Sequence, residues 1–265
     1  MDILQEIIAH KKVEVARRKE IFPVSELVKA SLFNQQRPSM TASLLDPKKT
    51  GIIAEYKRQS PSKGIINDHS TVEEVTEAYT RFGASGISVL TDQKFFGGNI
   101  SDLQAATINS IALLRKDFVV DEYQLLEAKA FGASVVLLIA ACLSVEEVKG
   151  LANIAKQLGL EVLLEVHNEE EVGHVCDAID MVGVNNRNLK NFEVSIENSL
   201  RLYSLLPKDK LAIAESGISD VNTIQTLKQA GFSGFLIGEK FMSNENPGKA
   251  FEEFVNDLEI WKFED

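Results

Sequence analysis

At 265 residues, with 45% hydrophobic and 25% charged side chains, the chain has the make-up of an ordinary globular protein, with room for one large domain or two small ones. A net charge of −11 argues against non-specific nucleic-acid binding while leaving room for a local basic pocket, and no apolar run approaches membrane-spanning length. The two cysteines, Cys142 and Cys176, lack metal-ligand spacing and read as buried reduced thiols, which suits a cytoplasmic protein.

Met1 to Glu20 carries charges throughout, with apolar residues at Ile3, Leu4, Ile7, Ile8 and Val15, which predicts an amphipathic helix and not a secretion signal. Val24 to Leu32 predicts a second short helix, and Asn34 to Thr50, with breakers at Pro38 and Pro47, predicts irregular chain. Residues 1–50 thus read as a helical extension packed on the rest of the chain, and residues 51–265 as the catalytic unit, the two forming a single domain overall.

From Gly51 the pattern changes to short β-rich apolar runs alternating with amphipathic helical segments. The runs are Ile52–Tyr56, Ile87–Leu90, Ile111–Leu114, Val135–Ile139, Val162–Val166, Met181–Val184, Leu211–Ala214 and Phe235–Ile237. The helical segments fall near Thr71–Phe82, Leu103–Asn109, Glu122–Phe131, Val145–Leu158, Glu169–Asp177, Ile196–Leu205, Asp220–Ala230 and Pro247–Leu258. Parallel strands need crossovers and helices supply them, so eight such units in this length predict an α/β fold, a closed (β/α)8 TIM barrel. A weak repeat agrees: Arg81 to Leu90 recurs as Ala130 to Ile139 and more loosely as Ala230 to Ile237. In each copy a glycine (Gly83, Gly132, Gly231) follows a helix, where the helix stop needs a positive φ. An open doubly wound sheet is the alternative, but no Gly-x-Gly-x-x-Gly follows the first run.

In a barrel the site lies where the strands exit. The first run leaves with Glu55 and Lys57, the third with Lys116, the fifth with Glu165, the sixth with Asn185 and Arg187, and the seventh with Glu215. Side chains alternate along a strand, which puts Glu55 with Lys57 and Asn185 with Arg187 on one face. One such charge is usually a solvated strand end. Five exits repeating the placement predict seven polar groups converging on one mouth. Three cations against three carboxylates can hold one another ionised and pull some pKa values toward neutrality, which is how a site obtains an acid and a base together. Gly217, after Ser216, and Gly238 stand after the seventh and eighth runs, where such barrels commonly bind phosphate through backbone N–H groups.

The motifs Glu55-Tyr-Lys-Arg-Gln-Ser-Pro-Ser-Lys-Gly64, Leu90 to Gly98, Leu114-Arg-Lys-Asp-Phe118, Leu163-Leu-Glu-Val-His167, Gly183-Val-Asn-Asn-Arg-Asn-Leu189 and Ala214-Glu-Ser-Gly-Ile218 together resemble the indole-3-glycerol-phosphate synthase family of tryptophan biosynthesis. The resemblance spans the barrel in family order and includes the helical extension. It implies a carbon–carbon lyase that closes 1-(2-carboxyphenylamino)-1-deoxyribulose 5-phosphate to an indole with loss of carbon dioxide and water. On the matching positions, Lys116 would be the general acid and Glu165 the general base. Lys57 would bind the carboxylate and share the acid role, and Glu55 would orient Lys57. Asn185, Arg187 and Glu215 would hold the ribulose chain, and Ser60 would contact the carboxylate. Ser216, Gly217 and Gly238 would line the phosphate end, and Phe96 and Phe118 would wall the aromatic ring. No metal and no organic cofactor are implied, and the partners expected are a phosphorylated small molecule and at most a weak homo-oligomer, with neither nucleic acid nor membrane.

Two departures stand out. Glu239 replaces a small serine of many relatives beside the expected phosphate, which it would repel unless it points away, and Asn188 replaces an aspartate. His167 lies close to Glu165 but is expected on the opposite strand face, as a structural residue. The rival classes are a Schiff-base aldolase using Lys57 or Lys116 and a non-catalytic phosphate-ligand binder.

Overall fold

The computed structural model describes residues 3–188 and 193–261, with side chains through Leu258; Met1 and Leu189, which belong to the first predicted helix and to the sixth-strand motif, lie outside the described residues. Among the described residues, eight strands form a closed parallel barrel: β1 (Ile52–Tyr56), β2 (Gly86–Leu90), β3 (Leu113–Lys116), β4 (Val135–Ile139), β5 (Glu161–Val166), β6 (Met181–Asn185), β7 (Leu211–Glu215) and β8 (Gly234–Ile237). Each strand pairs with its neighbours in sequence, and the ring closes through Ile52 opposite Phe235 and Ile53 opposite Leu236. The barrel crossovers carry α4 (Val72–Arg81), α5 (Gln93–Phe96), α6 (Ile100–Ala106), α7 (Tyr123–Ala130), α8 (Val145–Gln157), α9 (Glu169–Val172), α10 (Glu197–Tyr203) and α11 (Val221–Ala230), with α12 (Glu239–Met242) and α13 (Pro247–Trp261) after β8; α1 (Ile3–Ile21), α2 (Val24–Leu27) and α3 (Met40–Leu45) precede the first strand.

Local chemistry explains where these helices begin and end. Thr71 with Glu74 and Ser144 with Glu147 form reciprocal caps at the starts of α4 and α8, satisfying backbone N–H groups that have no intrahelical partner. Gly83, Gly132 and Gly231 have φ of 88°, 87° and 112°, as the repeat predicted. The strands are buried on both faces and accordingly read as apolar runs. Their inward side chains, among them Ile53, Leu114, Leu137, Leu163, Met181 and Ile213, make an inner core, while a larger outer core fills the space between strands and helices. Among the described residues no helix is long and apolar enough to cross a membrane.

The N-terminal segment departs from expectation. The predicted helix from Val24 ends at Leu27 and gives way to turns, with Leu27 wholly buried against Val15, Tyr123 and Ala130. The supposedly irregular stretch contains α3, which fits between the two prolines because Ser39 caps it. Glu161 at the start of β5 also accepts from Ser39 Oγ at 2.5 Å, Met40 N at 2.7 Å and Thr41 Oγ1 at 2.6 Å. The carboxylate thereby anchors the positive end of α3. Met40 and Leu44 then join the inner core, closing the end of the barrel opposite the strand exits. Gly86 leaves room for this side chain, since a Cβ would lie 2.1 Å from Met40 Sδ and displace it.

β3 spans Leu113 to Lys116, two residues later than predicted, because the pairing with β2 continues to Leu90 opposite Lys116. Two charges can stand in this strand because both are paired. Arg115 faces outward onto Asp117 at 3.1 Å and Glu127 at 2.7 Å, and Lys116 faces the lumen. The predicted helix Glu169–Asp177 is regular only as far as Val172, and the segment Leu103–Asn109 is instead a helix from Ile100 to Ala106, started by the Asn99 cap.

Candidate active site

β1 delivers Glu55 and Lys57 to the C-terminal mouth on one face, and Lys57 Nζ donates to Glu55 Oε1 at 2.7 Å. Glu55 is buried, with Ser88 Oγ of β2 at 3.4 Å from its other oxygen. Burial raises its pKa, but the cations of Lys57 and Lys116 outweigh that and hold it below its ordinary value. Gly238 makes this arrangement possible, since a Cβ there would come within 2.6 Å of Glu55 Oε1. Beyond Lys57 the chain forms a two-residue antiparallel pairing, Gln59–Ser60 with Gly64–Ile65, in place of a plain breaker, and its tip brings Ser60, Pro61 and Ser62 over the mouth.

The centre of the mouth is Lys116. Its Nζ lies 3.3 Å from Glu165 Oε2 and 3.7 Å from Glu215 Oε2. Burial alone would lower its pKa, but Glu165, Glu215 and Glu55 together push it well above the ordinary lysine range, so the group is a cation at neutral pH. Asn185 Nδ2 donates to Glu165 Oε1 at 3.1 Å, and Asn185 Oδ1 accepts from Arg187 N at 3.0 Å, so one side chain fixes both the carboxylate and the turn that carries Arg187. Glu165 is held far below the carboxylate range: burial raises it, but Lys116, His167 and Asn185 together outweigh burial. Glu215 goes the other way. Burial and the carboxylates of Glu165 and Glu55, offset only in part by Lys116, push it up to about 8. The mouth therefore presents two glutamates held as carboxylates, Glu55 and Glu165, beside a third, Glu215, that holds its proton far more tightly. Gly183 leaves the space for the second, since a Cβ there would lie 2.0 Å from Glu215 Oε1.

Two different walls flank this centre. On one side Phe96 and Phe118 stand with ring centroids 6.0 Å apart, joined by Leu90, Leu137 and Ile139, and by Ile3, Leu4 and Ile7 from α1. Such a wall suits a flat aromatic ring. On the other side Ser216, Gly217, Gly238, Lys63 and Arg187 line a polar recess. Ser216 and Gly217 have φ of 65° and 74°; glycine takes that conformation freely, whereas in serine it is uncommon and of a kind that collects at ligand sites. Glu239 does not turn into the recess unaccompanied: it lies 3.3 Å from Lys63 Nζ and 3.4 Å from Arg187, so its charge is met by two cations.

All thirteen residues proposed from sequence therefore lie at the mouth, Gly217 and Gly238 on its recess side and the others around the cleft. His167 overturns its expected place. It stands two residues after Glu165, so alternation returns it to the same face, and Nε2 lies 3.2 Å from Glu165 Oε1. Cys142 and Cys176 are free but only partly buried. Sequence reasoning missed the apolar wall from α1, whose stripe Ile3, Leu4 and Ile7 was visible but could not be placed. It also missed Lys11. That side chain, 1% exposed, reaches from α1 to Asp92 at 2.8 Å and Asp117 at 2.9 Å, beside Lys116 and Phe118. No pattern distinguishes it from the solvated lysines around it.

A closed parallel barrel with paired lysines and glutamates at its C-terminal mouth, between an aromatic wall and a polar recess, belongs to the class of (β/α)8 enzymes that move protons on small phosphorylated molecules. The chain belongs to the indole-3-glycerol phosphate synthase family, whose family model matches residues 4–254. It is 46% identical over 259 residues to the indole-3-glycerol phosphate synthase of Bacteroides thetaiotaomicron, covering 97% of this chain and 99% of that protein. Against the enzyme of the same name from Caldanaerobacter subterraneus subsp. tengcongensis it is 43% identical over 244 residues, covering 91% and 93%. Membership makes it a carboxy-lyase of tryptophan biosynthesis. Among solved structures, 3-hexulose-6-phosphate synthase from Salmonella typhimurium matches with a TM-score of 0.60 at 14% identity, covering 79% of this chain and 98% of that one. A mutant tryptophan synthase alpha-subunit from Pyrococcus furiosus matches with a TM-score of 0.60 at 16% identity, over 79% and 98%. These two share the fold.

Proposed function

We propose that the chain converts 1-(2-carboxyphenylamino)-1-deoxyribulose 5-phosphate to indole-3-glycerol phosphate with Lys116 and Lys57 as acids and Glu165 as base. The observation that carries this assignment is the Lys116–Glu165 pair, 3.3 Å apart at the centre of the mouth, with Asn185 and Glu215 bearing on the same two groups. The Lys116 ammonium protonates the substrate ketone as the ring carbon bearing the carboxylate bonds to the carbonyl carbon. The nitrogen becomes cationic, and the surrounding carboxylates stabilise it. Carbon dioxide leaves and its bonding electrons return to the ring. The new hydroxyl departs as water on a proton from Lys57 or Lys116, and Glu165 removes the last C–H proton to complete the indole. Asn185, Arg187 and Glu215 hold the ribulose chain, with Glu55 orienting Lys57. Ser60 and Lys57 bind the leaving carboxylate, Phe96 and Phe118 wall the ring on one side, and Ser216, Gly217 and Gly238 receive the phosphate with Arg187. Residues 1–50 act with the barrel as one domain, because α1 supplies part of the aromatic wall. The working form is a cytoplasmic monomer or weak homo-oligomer that needs neither metal nor organic cofactor.

Mixing purified protein with this substrate is expected to produce indole absorbance and fluorescence, and borohydride is expected to trap no covalent adduct. A substrate-dependent lysine adduct would replace the acid–base reading with a Schiff-base one, and tight binding without indole would replace it with a binding protein.

A further inference from the structure

His167 is a largely enclosed titratable group that the proposed reaction does not use. Its ring, 10% exposed, stands between two carboxylates: Nε2 lies 3.2 Å from Glu165 Oε1 and Nδ1 lies 3.1 Å from Glu171 Oε2. The residue is clamped from several directions. Its backbone N–H donates to Glu171 Oε2 at 2.7 Å, Asn168 Nδ2 donates to Glu171 Oε1 at 2.7 Å, and Asn198 Nδ2 of α10 donates to the His167 carbonyl at 3.1 Å.

A neutral imidazole has one N–H and would turn a lone pair toward one of the two carboxylates. Only the imidazolium presents an N–H to the carboxylate on each side, so this geometry selects the cation. Burial works against that charge, but Glu165 and Glu171 outweigh it and push the ring up to about 10. Toward Glu165 the N–H does not point straight at the oxygen, so attraction of charge carries more of that contact than hydrogen bonding.

We propose that His167, held as an imidazolium by Glu171, is a positioning residue that keeps the Glu165 carboxylate ionised and aimed at the substrate. The reading rests on Glu165 being the base. The groups facing the pair are Lys116 from β3, Asn185 from β6, Glu215 from β7, Glu55 from β1, Glu171 from α9 and the Cys142 thiol before α8, which burial with Glu165 and Glu171 keeps protonated. Lys116 is the common neighbour of three carboxylates, and it must turn to the ketone when substrate enters. At that moment His167 is the cation that stays beside Glu165, and Glu215 has no counterpart. This asymmetry decides which of the two glutamates gives up its proton.

The test is the pH dependence of kcat for the wild type, His167→Ala, His167→Gln, Glu171→Gln and Glu165→Gln. His167→Ala is expected to lower kcat by about 10- to 100-fold with KM little changed, as when a metal-binding side chain loses the partner that orients it. In the substrate complex Lys116 has turned away and the Glu165 pKa rises toward the ordinary carboxylate range; removing the second cation raises it further, so the acidic limb of the kcat profile moves to higher pH, by about one unit. His167→Gln restores orientation but not charge, and so recovers part of kcat while leaving the limb shifted. Glu171→Gln moves the limb the same way by less, in a site whose Glu165 and His167 are intact, and covers the case in which His167→Ala does not fold. An unmoved limb in folded His167→Ala and Glu171→Gln overturns the proposal even if kcat falls. Glu165→Gln separates the two readings: if it turns over normally, the base assignment itself fails, whereas an inactive Glu165→Gln beside an unmoved limb in the histidine variants rejects the positioning role alone.

Discussion

Replacing Lys11 with methionine keeps most of the side-chain volume and removes one charge from a sealed cluster. The ammonium lies 2.8 Å from Asp92, 2.9 Å from Asp117 and 3.0 Å from Glu14, and the two aspartates are 0% and 1% exposed. Arg115 remains on Asp117 at 3.1 Å, but among the described residues no other ion pair reaches Asp92. Breaking a buried pair costs about 3–5 kcal/mol because a desolvated charge is left uncompensated. In a chain of this size each kcal/mol moves the melting temperature by about 2–4 °C, so a drop on the order of 10 °C is expected at about pH 7. The sign of the pH dependence follows from Asp117. Burial raises its pKa, but Lys11 and Arg115 bring it from the ordinary 3.8 down to about 2. A depressed carboxylate stabilises the fold above its unfolded pKa, and that contribution disappears as pH falls through about 2. The deficit of Lys11→Met should therefore shrink between about pH 5 and pH 2, measured by calorimetry or by urea titration of circular dichroism. A variant within about 1 kcal/mol of wild type at neutral pH, or a deficit independent of pH, would refute the view that this lysine neutralises the acidic cluster behind Lys116.

Glu215 should show the opposite pH dependence. Its folded pKa, about 8 against the ordinary 4.5, means that protonation stabilises the fold at low pH and that this contribution is lost as pH rises through 8. Glu215→Gln does not titrate, so its melting temperature should match wild type at about pH 4 and exceed it by on the order of 10 °C at about pH 9. A constant offset would contradict the shift. Gly183→Ala places a methyl on Glu215 Oε1 and should cut kcat by at least tenfold in a protein that still melts cooperatively; unchanged kcat would mean that Glu215 can move aside freely. Glu161→Ala loses the hydrogen bonds that fix α3 and should cost about 2 kcal/mol in urea titration with kcat retained, because that carboxylate lies at the end of the barrel away from the mouth.

The barrel was legible because two periodicities alternate: runs buried on both faces are apolar, and the amphipathic helices between them end at stops such as Gly83. The site was legible for the same reason, since a charge at the end of an apolar run has few places to go but the mouth. What escaped was whatever depends on contacts distant in sequence. α3 was hidden between two prolines because six residues with a Ser39 cap are too short to read as a helix until Glu161, more than a hundred residues later, anchors their first turn. Lys11 looks like any lysine of an amphipathic helix until Asp92 and Asp117 are folded against it. Alternation, applied consistently, places His167 beside Glu165; its role depends on Glu171, which belongs to the next helix. No local pattern sets Glu55 and Glu165, held as carboxylates, apart from Glu215, which holds its proton, because the division follows from the cations that reach each one in space.

The central assignment, Lys116 as the acid of ring closure and Glu165 as the base of the final step, is tested most directly by following carbon dioxide and indole separately in a single turnover. Lys116→Ala should release neither, since both lie downstream of the bond that its proton assists. Glu165→Gln should release carbon dioxide and form indole slowly or not at all, because decarboxylation precedes the proton removal that it performs. Carbon dioxide release from Lys116→Ala at the wild-type rate, or its absence from folded, substrate-bound Glu165→Gln, would contradict the order of roles.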